Sequence, residues 1–152
     1  FDKDIYATNG DFQCLKFSNV FMEEGEDNNP DDNQMVFRYA DPILLRAEAL
    51  AELGKDEEAR TVVNVIRTRA KAAPIRDSGE DLKDAIWWER VRELLGEGNF
   101  YYDLVRTKKV INSEYTQVPM SVAAFNAGGW TWPIDKAALN NNPYMQLNNY
   151  WN

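Results

Sequence analysis

Arg38-Tyr39-Ala40-Asp41-Pro42-Ile43-Leu44-Leu45-Arg46-Ala47-Glu48-Ala49-Leu50-Ala51-Glu52-Leu53-Gly54 decides the fold class. Asp41 is a residue type that caps free helix amides, and Pro42 suits the first helical position, where no amide hydrogen is needed. From Ile43 to Leu53 the side chains are apolar almost all round, which predicts a helix covered on more than one side. Gly54 supplies the residue most at ease in a left-handed cap, so the helix is expected to stop there.

A second helix is expected directly afterwards, over 56–72. Asp56, Glu57 and Glu58 occupy its first turn, where the helix dipole favours negative charge. Ala59, Val62, Val63, Ile66 and Ala70 recur at helical spacing, and Pro74 bars continuation. Two helices joined by so short a turn must be antiparallel neighbours. Ala47 and Ala59 are small residues at facing positions, which lets the backbones approach. The unit resembles a degenerate tetratricopeptide repeat, and one such unit needs neighbours to complete a core. Exposed apolar surface is therefore expected, with Ile43, Leu50, Trp87 and Tyr101 as interface residues.

Further along, Leu82, Ile86, Val91, Leu94 and Leu95 mark a third helix over 81–95, with Trp87 at the edge of its apolar face. Gly96-Glu97-Gly98 breaks it, and a short helix over 99–108 follows. Residues 112–130 read as a loop ending in Gly128-Gly129-Trp130. Asp135 is placed to cap a last turn, Lys136–Leu139. The fold class is thus mainly α, a helical hairpin architecture with long irregular loops. It divides into an irregular, loop-rich segment over 1–36 and a helical domain over 37–152.

Within the first segment, Cys14–Phe17 and Val20–Met22 are strand-like. A calcium loop in the acidic run Glu23–Asn33 would begin at Asp27. That template needs Gly at position 6 and Glu at position 12, and Asp32 and Arg38 stand there instead. The run reads as a solvated loop, and no metal site is expected.

Composition narrows the function. The chain has 152 residues and a formal charge of −8, which disfavours nucleic acid and anionic membrane surfaces as partners. A neutral ligand such as a sugar fits that charge. There is no His, which removes the commonest general base and metal ligand and every Ser-His or Cys-His pair. Cys14 is alone, so there is no intrachain disulfide and no cysteine zinc cluster. No apolar run approaches the roughly 18 residues of a membrane helix, and Phe1–Asp4 does not begin a signal peptide.

Four blocks, in order, resemble the SusD/RagB family. Arg38–Ala49 is similar to R-x-A-D-h-x-L-x-x-A-E-A, and Val65–Ala70 to the end of I-N-x-V-R-x-R-A. Glu89-Arg90-Val91-Arg92-Glu93-Leu94-Leu95-Gly96-Glu97-Gly98, with Asp103–Arg106, is similar to E-R-R-x-E-L-x-x-E-G-x-R-x-x-D-L-x-R. Trp132-Pro133-Ile134, Asn142-Pro143 and Asn148-Asn149-Tyr150 are similar to P-I-P, N-P and Q-N-P-G-Y. Phe100 departs from the family's Arg, and Asp135 from the second Pro of P-I-P. The blocks match the family's C-terminal third, so the chain is read as a C-terminal piece whose larger N-terminal portion and lipid anchor lie elsewhere. The resemblance implies non-catalytic capture of oligosaccharide or peptide at the outer-membrane surface of a Bacteroidetes-type bacterium. The partner it implies is a SusC-like TonB-dependent porin, and no cofactor is implied.

Candidate sites follow from placement. Glu89, Glu93 and Glu97 recur at i, i+4 on one helix face. They cannot flank a glycosidic bond as hydrolysis requires, and interleaved arginines suit ion pairing instead. Arg38, Asp41, Glu48, Glu89, Arg90, Glu93, Gly98, Asp103 and Arg106 are therefore assigned structural roles. Trp87-Trp88 and Tyr101-Tyr102 lie on helices beside apolar stripes and are read as core. Tyr115 and Trp130 sit in loops and are the candidate glycan contacts. The competing reading is a helical-repeat adaptor holding a peptide in a groove lined by Asn, Lys and Arg.

Overall fold

The computed structural model describes residues 36–140, 142 and 144–151, with the side chain of Lys136 set aside. The readings made on Cys14, on the strand-like patches, on the acidic run and on Pro143 lie outside the described residues. Among the described residues the chain is helical, with no strand. The helices are α1 (Ala40–Glu52), α2 (Asp56–Arg69), α3 (Gly79–Glu93), α4 (Asn99–Arg106), α5 (Val122–Asn126) and α6 (Lys136–Leu139), with a 3-10 turn at Lys109–Ile111. They fall into two compact units, one ending at Gly98 and one beginning at Asn99.

In the first unit α1 packs on both α2 and α3. The buried centre is Leu44, Ala47 and Ala51 of α1, Ala59, Val63 and Ile66 of α2, Ile75 of the connection, and Leu82 and Ile86 of α3. Ala47 and Ala59 are fully buried, as expected of small residues where two helices approach. Both hairpin helices end in the same hydrogen-bonded cap. After α1, Gly54 N–H reaches Ala51 O and Lys55 N–H reaches Leu50 O; after α2, Lys71 N–H reaches Thr68 O and Ala72 N–H reaches Arg67 O. The left-handed residue is Gly54 in one and Lys71, at φ 53°, in the other. That second cap ends α2 at Arg69, ahead of the expected boundary at 72.

Three further differences have physical causes. Helix α1 begins at Ala40, one residue ahead of Asp41, and no side chain caps it; the Asp41 carboxylate accepts from Arg90 Nη1 at 2.7 Å instead. Helix α3 starts at Gly79 rather than 81, because Asp56 in the first turn of α2 reaches across and accepts from Gly79 N–H at 2.7 Å. Nor is α1 covered all round: Leu45 and Leu53 are exposed, together with Phe37 and Tyr39 just before the helix. These four, rather than Ile43, Leu50 and Trp87, form its apolar surface. Ile43 and Leu50 pack against the core, and Trp87 is buried.

In the second unit α4 lies against the 3-10 turn, with Leu104 and Val110 buried. Lys108 between them adopts a left-handed conformation, φ 57°. Met120 N–H reaches back to Val110 O at 2.9 Å, which folds the loop after the turn. Ser121 caps α5 by accepting from Ala124 N–H, and Asp135 caps α6 by accepting from Ala137 N–H, the latter as expected.

Candidate functional site

Two constellations of the described residues bear on function, one in each unit. The first is charged. Arg38, just before α1, donates from Nη1 to Glu93 Oε1 at 2.6 Å, from Nη2 to the Glu93 carbonyl at 2.7 Å, and from Nε and Nη2 to the Glu97 carboxylate. Arg69 at the end of α2 donates to both oxygens of Glu93. Glu89 accepts from Arg67 and Arg92 at 2.8 Å each. Arg90, only 3% exposed, pairs with Asp41. Glu48 is half-buried on α1, and Gly98 takes φ 81° at the break after α3.

Burial pushes the Glu93 carboxyl up, but hydrogen bonds from Arg69 and Arg38, together with their charges, outweigh it and hold Glu93 below the usual carboxylate range. The hydrogen bonds that it donates to Glu97 raise the Arg38 guanidinium further above its already high value. A general acid needs a carboxyl raised toward neutrality, and these interactions act in the opposite direction. The arrangement ties α1, α2, α3 and the glycine break together.

The second constellation is aromatic. Tyr101, Tyr102 and Val105 of α4, Phe125 of α5, and Trp130, Thr131 and Trp132 line an open groove of about 680 Å3, with Arg106 and Lys108 at its edge. Trp132 is 79% exposed and Tyr102 67%. Phe125 and Trp130 lie with ring centroids 6.4 Å apart at 35°, and Tyr101 and Tyr102 meet edge to face at 6.1 Å. Tyr101 Oη donates to the Trp130 carbonyl at 2.6 Å, joining α4 to the Trp130 loop.

The loop itself is set by close approach. Gly128 has φ 90°, and a Cβ there would lie 2.7 Å from Asn148 Nδ2; a Cβ at Gly129 would meet Ala124 O and the Tyr150 ring at 3.0 Å. Asn148 Nδ2 donates to Gly128 O at 3.0 Å and also to Thr131 Oγ1, and Trp151 Nε1 donates to Thr131 O at 3.0 Å. The 148–151 segment thus holds the turn from which Trp130 and Trp132 project.

Of the two loop aromatics singled out from sequence, Trp130 lies in this groove and Tyr115 does not. The Lys109 ammonium sits 3.7 Å from the Tyr115 ring centroid and covers one face of it. Tyr101 and Tyr102, read as core, are exposed in the groove, whereas Trp87 is buried. Phe125 and Trp132 escaped sequence reasoning. The signal available for Trp132 was its spacing two residues from Trp130, which in extended chain sends both indoles to one side. Asp103 and Arg106 form a 2.7 Å ion pair within α4.

A polar groove also lies between α2 and the 74–78 connection, lined by Arg60, Asn64 and Arg76 among others. Its Asn64 amide both donates to Ile75 O and accepts from Ile75 N–H, and Arg60 donates to Asp77 O. The Asn64 amide and one Arg60 nitrogen are thus engaged by the chain itself.

Residues 2–151 match the SusD family. The chain belongs to that family. It is 35% identical over 149 residues to a SusD-like protein of Formosa agariphila, covering 91% of this chain and 28% of that one. A second SusD-like protein of the same organism is 35% identical over 96 residues. Among solved structures, a SusD homologue from Bacteroides thetaiotaomicron superposes with a TM-score of 0.75 at 55% identity, over 79% of this chain and 26% of that one. A SusD superfamily protein from the same bacterium gives a TM-score of 0.64 at 34% identity, over 77% and 26%. The chain thus spans about a quarter of the length of the SusD relatives it matches, and its mainly α fold is theirs over that span.

Proposed function

We propose that this chain is the C-terminal part of a non-catalytic oligosaccharide-capture protein, held by a lipid anchor outside this sequence on the outer-membrane surface of a Bacteroidetes-type bacterium. Captured glycan passes to a TonB-dependent porin of the SusC type. SusD family membership supports this reading, as do the Formosa and Bacteroides sources of its relatives. The single observation that carries it to residues is the groove of Tyr101, Tyr102, Phe125, Trp130 and Trp132. Aromatic faces stack on the apolar faces of sugar rings, and several convergent rings with hydroxyl groups between them are what a sugar site needs. Absence of bond cleavage is supported by Glu89 and Glu93 of α3 and Glu97 in the turn that follows it, each engaged by arginine.

The test is isothermal titration of the protein with a panel of plant and algal oligosaccharides, alongside Trp132→Ala. Binding that Trp132→Ala weakens roughly tenfold or more, with no new reducing ends released on incubation, is the expected result. Hydrolysis, or binding indifferent to every groove aromatic, would overturn it. Co-purification with a TonB-dependent porin from detergent-solubilised outer membranes tests the partner.

A further inference from the structure

The groove edge carries charge as well as rings. Arg106 and Lys108 line it, and no carboxylate does. Arg106 is already offset by Asp103 at 2.7 Å. Among the described residues Lys108 has no carboxylate within ion-pair distance. The chain as a whole carries −8, a charge that repels anionic ligands from most of its surface. A lysine with no carboxylate partner in the lining of an aromatic groove is therefore a local reversal of sign.

We propose that Lys108 selects acidic oligosaccharides, with an exocyclic carboxylate or sulfate ester meeting the ammonium while the sugar ring stacks on Trp132 or Trp130. This rests on the capture reading above and narrows it. The left-handed backbone of Lys108 does not by itself carry the argument, because Lys71 adopts the same conformation as a plain helix cap. What distinguishes Lys108 is position: it stands between α4 and the 3-10 turn and is among the residues that line the groove. A charge-assisted contact of this kind adds affinity for the anion, is screened by salt, and leaves stacking untouched.

The probes are tetragalacturonate and its fully methyl-esterified form, which share every ring and differ in charge, with a carrageenan tetrasaccharide and its desulfated form as the second pair. Each is titrated against the protein, Lys108→Asn and Trp132→Ala. Asn tolerates left-handed backbone, so the first variant removes the charge without straining the turn. The expected result is about tenfold tighter binding of the charged member of at least one pair, abolished by Lys108→Asn and by high salt, while Trp132→Ala weakens both members. The pair that responds identifies carboxylate or sulfate as the anion. Equal affinity within both pairs, with Trp132→Ala still effective, overturns the charge selection and leaves the capture reading standing. Binding absent from all four probes, or indifferent to Trp132→Ala, overturns both.

Discussion

Arg38 and Glu97, 59 positions apart, are joined by Nε at 3.0 and 3.1 Å from the two carboxylate oxygens and by Nη2 at 2.7 Å from one of them. The same guanidinium also holds the side chain and the carbonyl of Glu93. One planar fork therefore fixes the entry to α1 against the exit of α3, a geometry that lysine cannot reproduce. Arg38→Met should lower unfolding stability by about 2–3 kcal/mol, because several charge-assisted bonds and a half-buried carboxylate lose their partner. Arg38→Lys should recover less than half of that. Urea midpoints measured at constant m-value decide the matter; equal stability of Arg38→Met and the parent would show that the fork is ornamental.

Acid should weaken the first unit through Glu93. Its carboxyl lies below its unfolded value, so it adds stability above about pH 4.3, the ordinary glutamate pKa, and that contribution disappears as the pH falls through the folded value. Urea unfolding at pH 7 and again near pH 3 should show the loss, and Glu93→Gln should reduce the difference between the two. A Glu93→Gln protein with an undiminished pH dependence would assign the acid sensitivity to other carboxylates.

Ala59 has no exposed surface and faces the fully buried Leu44 and Ala47 side of the hairpin. Ala59→Leu should overpack this contact and cost about 1–3 kcal/mol. Ala59→Gly should also destabilise, by about 1 kcal/mol, through helix propensity. Thermal unfolding of both variants separates steric crowding, which only the first introduces, from backbone entropy.

Lys71 closes α2 in the conformation that Gly54 adopts after α1. Lys71→Gly removes the Cβ penalty of left-handed backbone and should raise stability by about 1 kcal/mol, even though glycine gains entropy when unfolded. A lower midpoint for Lys71→Gly would mean that the lysine side chain contributes a contact that outweighs its backbone strain.

The hairpin was legible in the sequence because its determinants are local. Gly54 announces a left-handed cap, Pro74 forbids continuation, and Ala47 and Ala59 stand at helical spacing within a few turns of each other. The cap at Lys71 was hidden, since lysine does not advertise positive φ. Asp41 misled for a related reason: a residue that suits capping was drawn instead to Arg90, a partner 49 positions later, and its pull is invisible in local pattern. The groove was less legible still. Tyr101 and Tyr102 sit on a helix and resemble core until the Gly128 turn and the 148–151 segment are known to bring Trp130 and Trp132 beside them. Gly128-Gly129 next to Trp130, followed by Asn148-Asn149, carried that information only in combination.

The dependence of the Gly128–Thr131 turn on Asn148 and Trp151 has a consequence for the order in which the protein is made. Translation delivers α4, α5 and both groove tryptophans well before the residues that brace them. While Asn148 and Trp151 are still unmade or inside the ribosome, the turn that carries Trp130 and Trp132 has only its local hydrogen bonds and the one from Tyr101. The full bracing of this groove is therefore acquired late, and a chain cut between Trp132 and Asn148 would carry every groove ring without the hydrogen bonds that Asn148 and Trp151 give to the turn.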